Sequence, residues 1–265
     1  MKSASRMSAR LILSSISHRC RAARRSIRPE IAESRHKALQ FSRSDHLFRL
    51  FSRRLKKMAY AGEFDHVYWI GGGSGAGKST IARRLAAEMD LHLLSTDDTM
   101  RDHARRSTPD DCPLLHQFMQ MDMDERWLTR SPSVMLETFH WFRGEGFEMI
   151  LEDLRALPKE RRVIVEGFRL LPRLVEPHAA PGQAVWLLPT TAFRKQAFEA
   201  RNVAAGFLSQ TSDPARAWGN LVMRDAMFTD RLREESSERG LTSIEVGTQV
   251  EEANLGRRVR HALFG

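Results

Sequence analysis

His66-Val67-Tyr68-Trp69-Ile70-Gly71-Gly72-Gly73-Ser74-Gly75-Ala76-Gly77-Lys78-Ser79 is the stretch on which the fold turns. Val67 to Ile70 form a short β-rich run, and the last eight residues match G-x-x-x-x-G-K-[ST] at every fixed position. A helical pattern then continues from Lys78 to about Met89. Strand, glycine-rich turn and helix in that order make a cradle for phosphate. The glycines let the backbone bend so that successive N–H groups face inward. The helix N-terminus adds its partial positive charge. Lys78 is placed to reach β- and γ-phosphates, and the Ser79 hydroxyl to ligate magnesium. The expected nucleotide-binding residues are therefore Gly72, Gly73, Ser74, Gly75, Ala76, Gly77, Lys78, Ser79 and Thr80.

Outward from this stretch, strand-like and helical segments alternate. Leu91–Ser95, Arg162–Gly167, Ala184–Pro189 and Ser243–Gly247 are short apolar runs of the parallel-sheet kind. Between them lie long helical stretches, Thr99–Lys159 and Thr191–Arg239, and Val250–Phe264 reads as a closing helix. The first stretch is broken at Pro109, Pro113, Pro132 and Gly144/Gly146, the second near Gly206–Pro214, where Asp213 is an expected N-cap. Strands alternating with helices predict an α/β fold with five parallel strands and right-handed crossovers.

Charge divides the 265-residue chain in two. Residues 1–59 carry 16 Lys and Arg against 3 Asp and Glu, whereas residues 60–265 carry 26 against 30. The total of +9 therefore describes the N-terminal segment, and gives the folded part no reason to bind nucleic acid. Residues 1–59 are Arg- and Ser-rich. That composition is compatible with an organellar transit peptide, a basic arm for RNA or anionic lipid, a disordered extension, or a true start at Met58. Cys20 and Cys112 show neither a disulfide nor a zinc pattern and fit a reducing, cytoplasmic setting. No apolar run is long enough to span a membrane.

Three further features narrow the chemistry. The second strand ends in Ser95-Thr96-Asp97-Asp98, and groups at strand C-termini face the ligand crevice of such sheets. One of these aspartates is expected to hold magnesium through water, the other to orient or deprotonate an acceptor hydroxyl; the plainer reading makes them caps of the next helix. Glu166 ends the third strand and fits the magnesium shell, against a plainer reading as the partner of a nearby arginine. Arg101 and Arg105, four residues apart on a helix, are candidates to clamp an anionic substrate, with Asp98 beside them. Arg194 and Arg201 follow the fourth strand and Arg224 lies further on, where a lid supplies transition-state charge. The catalytic candidates are thus Lys78, Asp97, Asp98, Arg201 and Arg224, and the metal candidates Ser79, Asp97 and Glu166. Aromatic residues after Pro132, among them Phe139, Trp141 and Phe142, are expected to pack the helical segment onto the sheet rather than line a substrate pocket.

The loop, Ser95-Thr96-Asp97-Asp98-Thr99-Met100-Arg101 and Val165-Glu166-Gly167-Phe168-Arg169-Leu170-Leu171-Pro172 together resemble the P-loop small-molecule kinases, and most closely their 2-phosphoglycerate kinase-like branch. The resemblance covers residues 66–264. It implies a three-layer P-loop NTPase fold with strand order 2-3-1-4-5, a helical substrate insert at 99–159 and a lid at 191–239. It also implies ATP and Mg2+ as cofactors, and a γ-phosphoryl transfer to a hydroxyl or phosphate of a small molecule. Phe168-Arg169 departs from the Val-His more usual in that branch, which leaves the acceptor open. A nucleotide-dependent switch or toxin-like regulator with a basic arm is the rival reading. A GTPase and an ABC-type ATPase are disfavoured by the lack of N-K-x-D and L-S-G-G-Q segments.

Overall fold

The computed structural model describes residues 62–203 and 205–265. The readings of residues 1–59 lie outside that range. Five parallel strands form one sheet: β1 (Val67–Gly72), β2 (His92–Ser95), β3 (Val163–Glu166), β4 (Ala184–Pro189) and β5 (Ser243–Val246). Their order across the sheet is β2-β3-β1-β4-β5, as the resemblance implied.

Side chains along the strands alternate between two apolar layers, as period-2 geometry demands. Trp69, Val163, Val165, Trp186 and Leu188 enter one layer; Ile70, Ile164, Val185, Leu187 and Ile244 enter the other. Both faces are buried, which is why the runs read as continuously apolar rather than alternating. On the second face lie α1 (Lys78–Met89), through Ile81 and Leu85, and the C-terminal helix, α10 (Glu252–Phe264), through Leu255 and Val259.

The segment after β2 is less continuous than the sequence pattern suggests. It consists of α2 (Met100–Arg106), α3 (Pro113–Gln120), a single π-helical turn (Glu125–Thr129), α4 (Pro132–Thr138), α5 (His140–Arg143) and α6 (Phe147–Arg155). The prolines begin helices rather than merely interrupting them: Pro113 and Pro132 sit in first turns, where a missing N–H costs nothing. Gly144 ends α5 with φ +94, a left-handed turn open to glycine. Ile150, Leu151 and Leu154 of α6 are buried on the first face of the sheet. Short α7 (Pro172–Val175) follows β3.

After β4 come α8 (Thr191–Ala200), a 3-10 turn (Phe207–Gln210) and the 25-residue α9 (Pro214–Glu238). Asp213 caps α9 as expected, accepting from the Arg216 N–H at 3.0 Å. One side of α9 joins the sheet core through Phe228 and Leu232. Phe228 stacks on Phe142 with centroids 3.6 Å apart and planes 7° from parallel.

Candidate active site

The sheet brings the quoted motifs to one edge. β1 runs directly into the loop, and Gly77 N-caps α1 with φ +83. Glu166, the last residue of β3, lies in register with Ile70 on one side and Ser95 on the other. The Thr96 N–H donates to the Glu166 carbonyl at 2.9 Å, which carries the ladder one residue past β2. Asp97 and Asp98 therefore leave the sheet beside the loop, at the C-terminal ends of the strands where open α/β sheets bind ligands.

Gly167 makes this meeting possible. Its φ is +152, and a Cβ there would stand 1.7 Å from Thr96 Oγ1 and 3.4 Å from Asp97 Oδ1. Only glycine allows β3 to turn away while the β2 exit packs against it.

Three charged groups converge. Lys78 is buried and its Nζ donates to the Gly73 carbonyl at 2.9 Å, so the ammonium is folded across its own loop. Burial lowers the Lys78 pKa, Asp97 and Glu166 oppose that shift, and Arg201 adds to it. Burial pushes the Asp97 carboxyl above the usual range, Lys78 pulls it back and Glu166 pushes it up again. Glu166 is 1% exposed. Asp97 Oδ1 and Glu166 Oε2 are buried with no hydrogen-bond partner. Buried carboxylate oxygens are rarely left so, and an orphaned pair beside an ammonium fits a cation with its water.

The plainer readings do not describe these side chains. The N-cap of α2 is Thr99, and no side chain makes a capping bond there, so neither aspartate caps the helix. The orphaned Glu166 oxygen has no arginine on it. Asp98 is exposed at the same turn. Among the described residues no three His, Cys, Asp or Glu side chains group to hold a metal on their own. A magnesium ion here would need the Ser79 hydroxyl, phosphate and water to complete its shell.

The arginines are distributed differently from expectation. Arg101 is exposed, and the Arg105 side chain, 73% exposed, pairs with Asp102. Neither lines the cavity beside the loop. Arg201 ends α8, exposed, with its charge felt at Lys78. Arg224 is buried in α9, with Nε and Nη2 donating to Asp225 Oδ1 at 2.9 and 2.6 Å. Arg194, fully buried, donates from Nε to the Ser74 carbonyl at 3.3 Å and from Nη2 to Thr229 Oγ1. Its Nη1 is buried without a partner.

Beside Ser74 opens a cavity of about 380 Å³, walled by aromatic residues of the insert, of the turn after β3 and of the segment after β4, with Arg224 and Asp225 also in its lining. Phe139, Trp141 and Phe142, for which packing was the preferred expectation, do sit in apolar clusters, and all three line the cavity as well. The sequence pattern missed Asp225, Trp127 and Phe207 because their positions depend on α9 and the π-helical turn meeting across the cavity. Arg194 had a signal, since it precedes Arg201 by two helical turns.

The AAA_33 family, described as an AAA domain, matches residues 67–220, which contain the loop, both carboxylates and most of the cavity wall. The chain belongs to this family. It is 28% identical over 156 residues to a 2-phosphoglycerate kinase of Pyrococcus horikoshii, covering 57% of this chain and 49% of that one. It is 32% identical over 124 residues to an adenylate kinase of Deinococcus deserti, covering 44% and 54%. The AAA-domain chain thus spans about half the length of the curated relatives it matches. Among solved structures, a deoxyadenosine kinase from M. mycoides with bound dATP aligns over 75% of this chain and all of its own, at 10% identity and a TM-score of 0.41. The resemblance to P-loop kinases read from the motifs is borne out by the family match and the two curated kinase relatives.

Proposed function

We propose that the chain transfers the γ-phosphoryl group of ATP to a hydroxyl of a small molecule. The observation that carries this reading is the meeting of Lys78 with the orphaned oxygens of Asp97 and Glu166 beside an intact phosphate loop and an aromatic-lined cavity. A pure nucleotide switch has no need of that cavity.

The loop amides and Lys78 would bind the β- and γ-phosphates, with Lys78 exchanging the Gly73 carbonyl for phosphate oxygen. Ser79, Asp97 and Glu166 are the groups that would hold magnesium, which supplies positive charge to the phosphates. Asp98, on the solvent side of the same turn, is the carboxylate left to take the acceptor's proton. The acceptor oxygen bonds to the γ-phosphorus as the bond from that phosphorus to the β,γ-bridging oxygen breaks, and ADP leaves. Arg201, whose charge already reaches Lys78, is the residue of the 191–239 lid assigned to the transferring group. Arg224 instead serves the acceptor side, held by Asp225. The domain division, an N-terminal extension at 1–59 and a kinase-like domain at 60–265 with its insert at 99–159, is part of the same proposal.

Lys78→Ala tests it. ADP formation in the presence of a hydroxyl-metabolite panel should fall about 100-fold or more, the scale of losing one transition-state contact. Undiminished turnover in that variant would end the reading.

A further inference from the structure

We propose that the cavity beside Ser74 holds an uncharged aromatic or heteroaromatic ring carrying a hydroxyl, and that such ring alcohols are the acceptor class. This rests on the phosphotransfer reading and adds the acceptor's chemistry to it. The cavity, about 380 Å³, falls in the range of small-molecule sites, roughly 300–1,000 Å³. Ser74 of the phosphate loop is at its edge, so a ring bound there would lie next to the loop that is to hold the phosphates.

Its walls select for flat, apolar bodies. Phe118, Trp127, Phe139, Phe168, Phe198 and Phe207 line it from the insert, the turn after β3 and the segment after β4. Several meet edge to face: Phe118 with Trp127 at 5.7 Å and 80°, Phe118 with Phe139 at 5.5 Å and 79°. Such contacts use ring edges and leave faces available to stack a ligand.

Charge excludes the alternative. The lining contains one cation and one anion, Arg224 and Asp225, and they neutralise each other at 2.6 Å. Arg224 also lies over Trp127, Phe139 and Phe142 at 4.6 to 5.0 Å. The arginines behind the wall spend most of their donors on the protein, though Arg169 Nε and Arg194 Nη1 are buried without a partner. Arg169 stacks 4.0 Å from the Trp141 ring and donates to the Thr96 and Gly146 carbonyls and to His103. Arg126 lies 4.9 Å from the Phe118 ring and donates to the Phe118 and Met119 carbonyls. His140 is kept neutral by burial and by these arginines, and its Nδ1 is buried without a partner. A carboxylate or phosphate entering this cavity would find no cation in the lining except Arg224, already paired with Asp225, whereas an uncharged ring finds aromatic faces on which to stack. In the transfer, the ring alcohol's oxygen bonds to the γ-phosphorus of ATP, its proton passes to Asp98, and ADP departs.

The test uses the full chain with a non-hydrolysable ATP analogue first bound to saturation. Adenosine, thymidine and pyridoxine are titrated against 2-phosphoglycerate and shikimate, following tryptophan fluorescence, since Trp127 and Trp141 line the cavity. At least one ring alcohol should give a saturable change and stimulate ADP formation when ATP replaces the analogue; the two anions should do neither. Trp127→Ala should weaken that affinity about tenfold or more, the scale of one lost ring stack, and Trp127→Phe should recover most of it. Saturation by an anion, silence from every ring alcohol, or an unaltered affinity in Trp127→Ala would each overturn the proposal. If the analogue itself fails to bind, the phosphotransfer reading falls, and the same titrations without nucleotide still judge the cavity.

Discussion

His140 shows how closely the cavity wall is balanced. It is 2% exposed, and burial together with Arg169, Arg224 and Arg126 pushes its pKa down from 6.5 to about 3. The folded state therefore binds fewer protons than the unfolded chain between those two values. Stability falls as pH drops from about 6.5 toward 3, by up to roughly 4–5 kcal/mol if the whole shift is realised. Urea midpoints measured across that window should fall steeply for the native chain and less steeply for His140→Phe. Equal slopes would mean that the imidazole finds a way to ionise in place. The neutrality of His140 was not legible in the sequence, where it is one of ten histidines without ligand spacing. It follows from which arginines the fold folds inward. Lys78 was legible, because its role is written in seven contiguous neighbours.

The turn between β3 and α7 is the element on which the site's geometry depends. Gly167 brings Glu166 and Asp97 together by allowing a backbone-to-side-chain approach that any Cβ would block at 1.7 Å. Gly167→Ala should cost about 1–3 kcal/mol or more, through the forced φ and the overlap with Thr96. Because the overlap presses on the Asp97 turn, the loss of ADP formation should exceed what the lower thermal midpoint accounts for. A variant that melts earlier but turns over normally would show that the turn can relax without moving Asp97. Strands and the α1 and α9 termini were readable because local signals agree with the fold: β-branched runs, Gly77 before α1, Asp213-Pro214 before α9. The π-helical turn at Glu125–Thr129 was not. Its carbonyls at Trp127 and Leu128 are held by the Asn220 amide of α9, a partner 92 to 93 residues away.

At the scale of residues 62–265, the insert and the segment after β4 are laced together. Asp124 accepts from Ser212, Asn220 donates to the π-helical turn, Glu137 pairs with Arg231, and Phe142 stacks on Phe228. These long-range ties are what sequence periodicity cannot express. The cavity's outer side is bounded by Trp127 from the insert and Phe207 from the 3-10 turn, with ring centroids 5.0 Å apart and Phe207 39% exposed. If the proposed transfer takes place in this cavity, its phosphorylated product would have to pass these two rings after acquiring charge. The packing contact would then become a matter of residence time, with release paced by how fast the rings part. Under saturating ATP and acceptor, kcat should therefore fall as solvent viscosity is raised, and Phe207→Ala should weaken that dependence. A kcat indifferent to viscosity in both proteins would place the slow step at the bond exchange beside Lys78 instead.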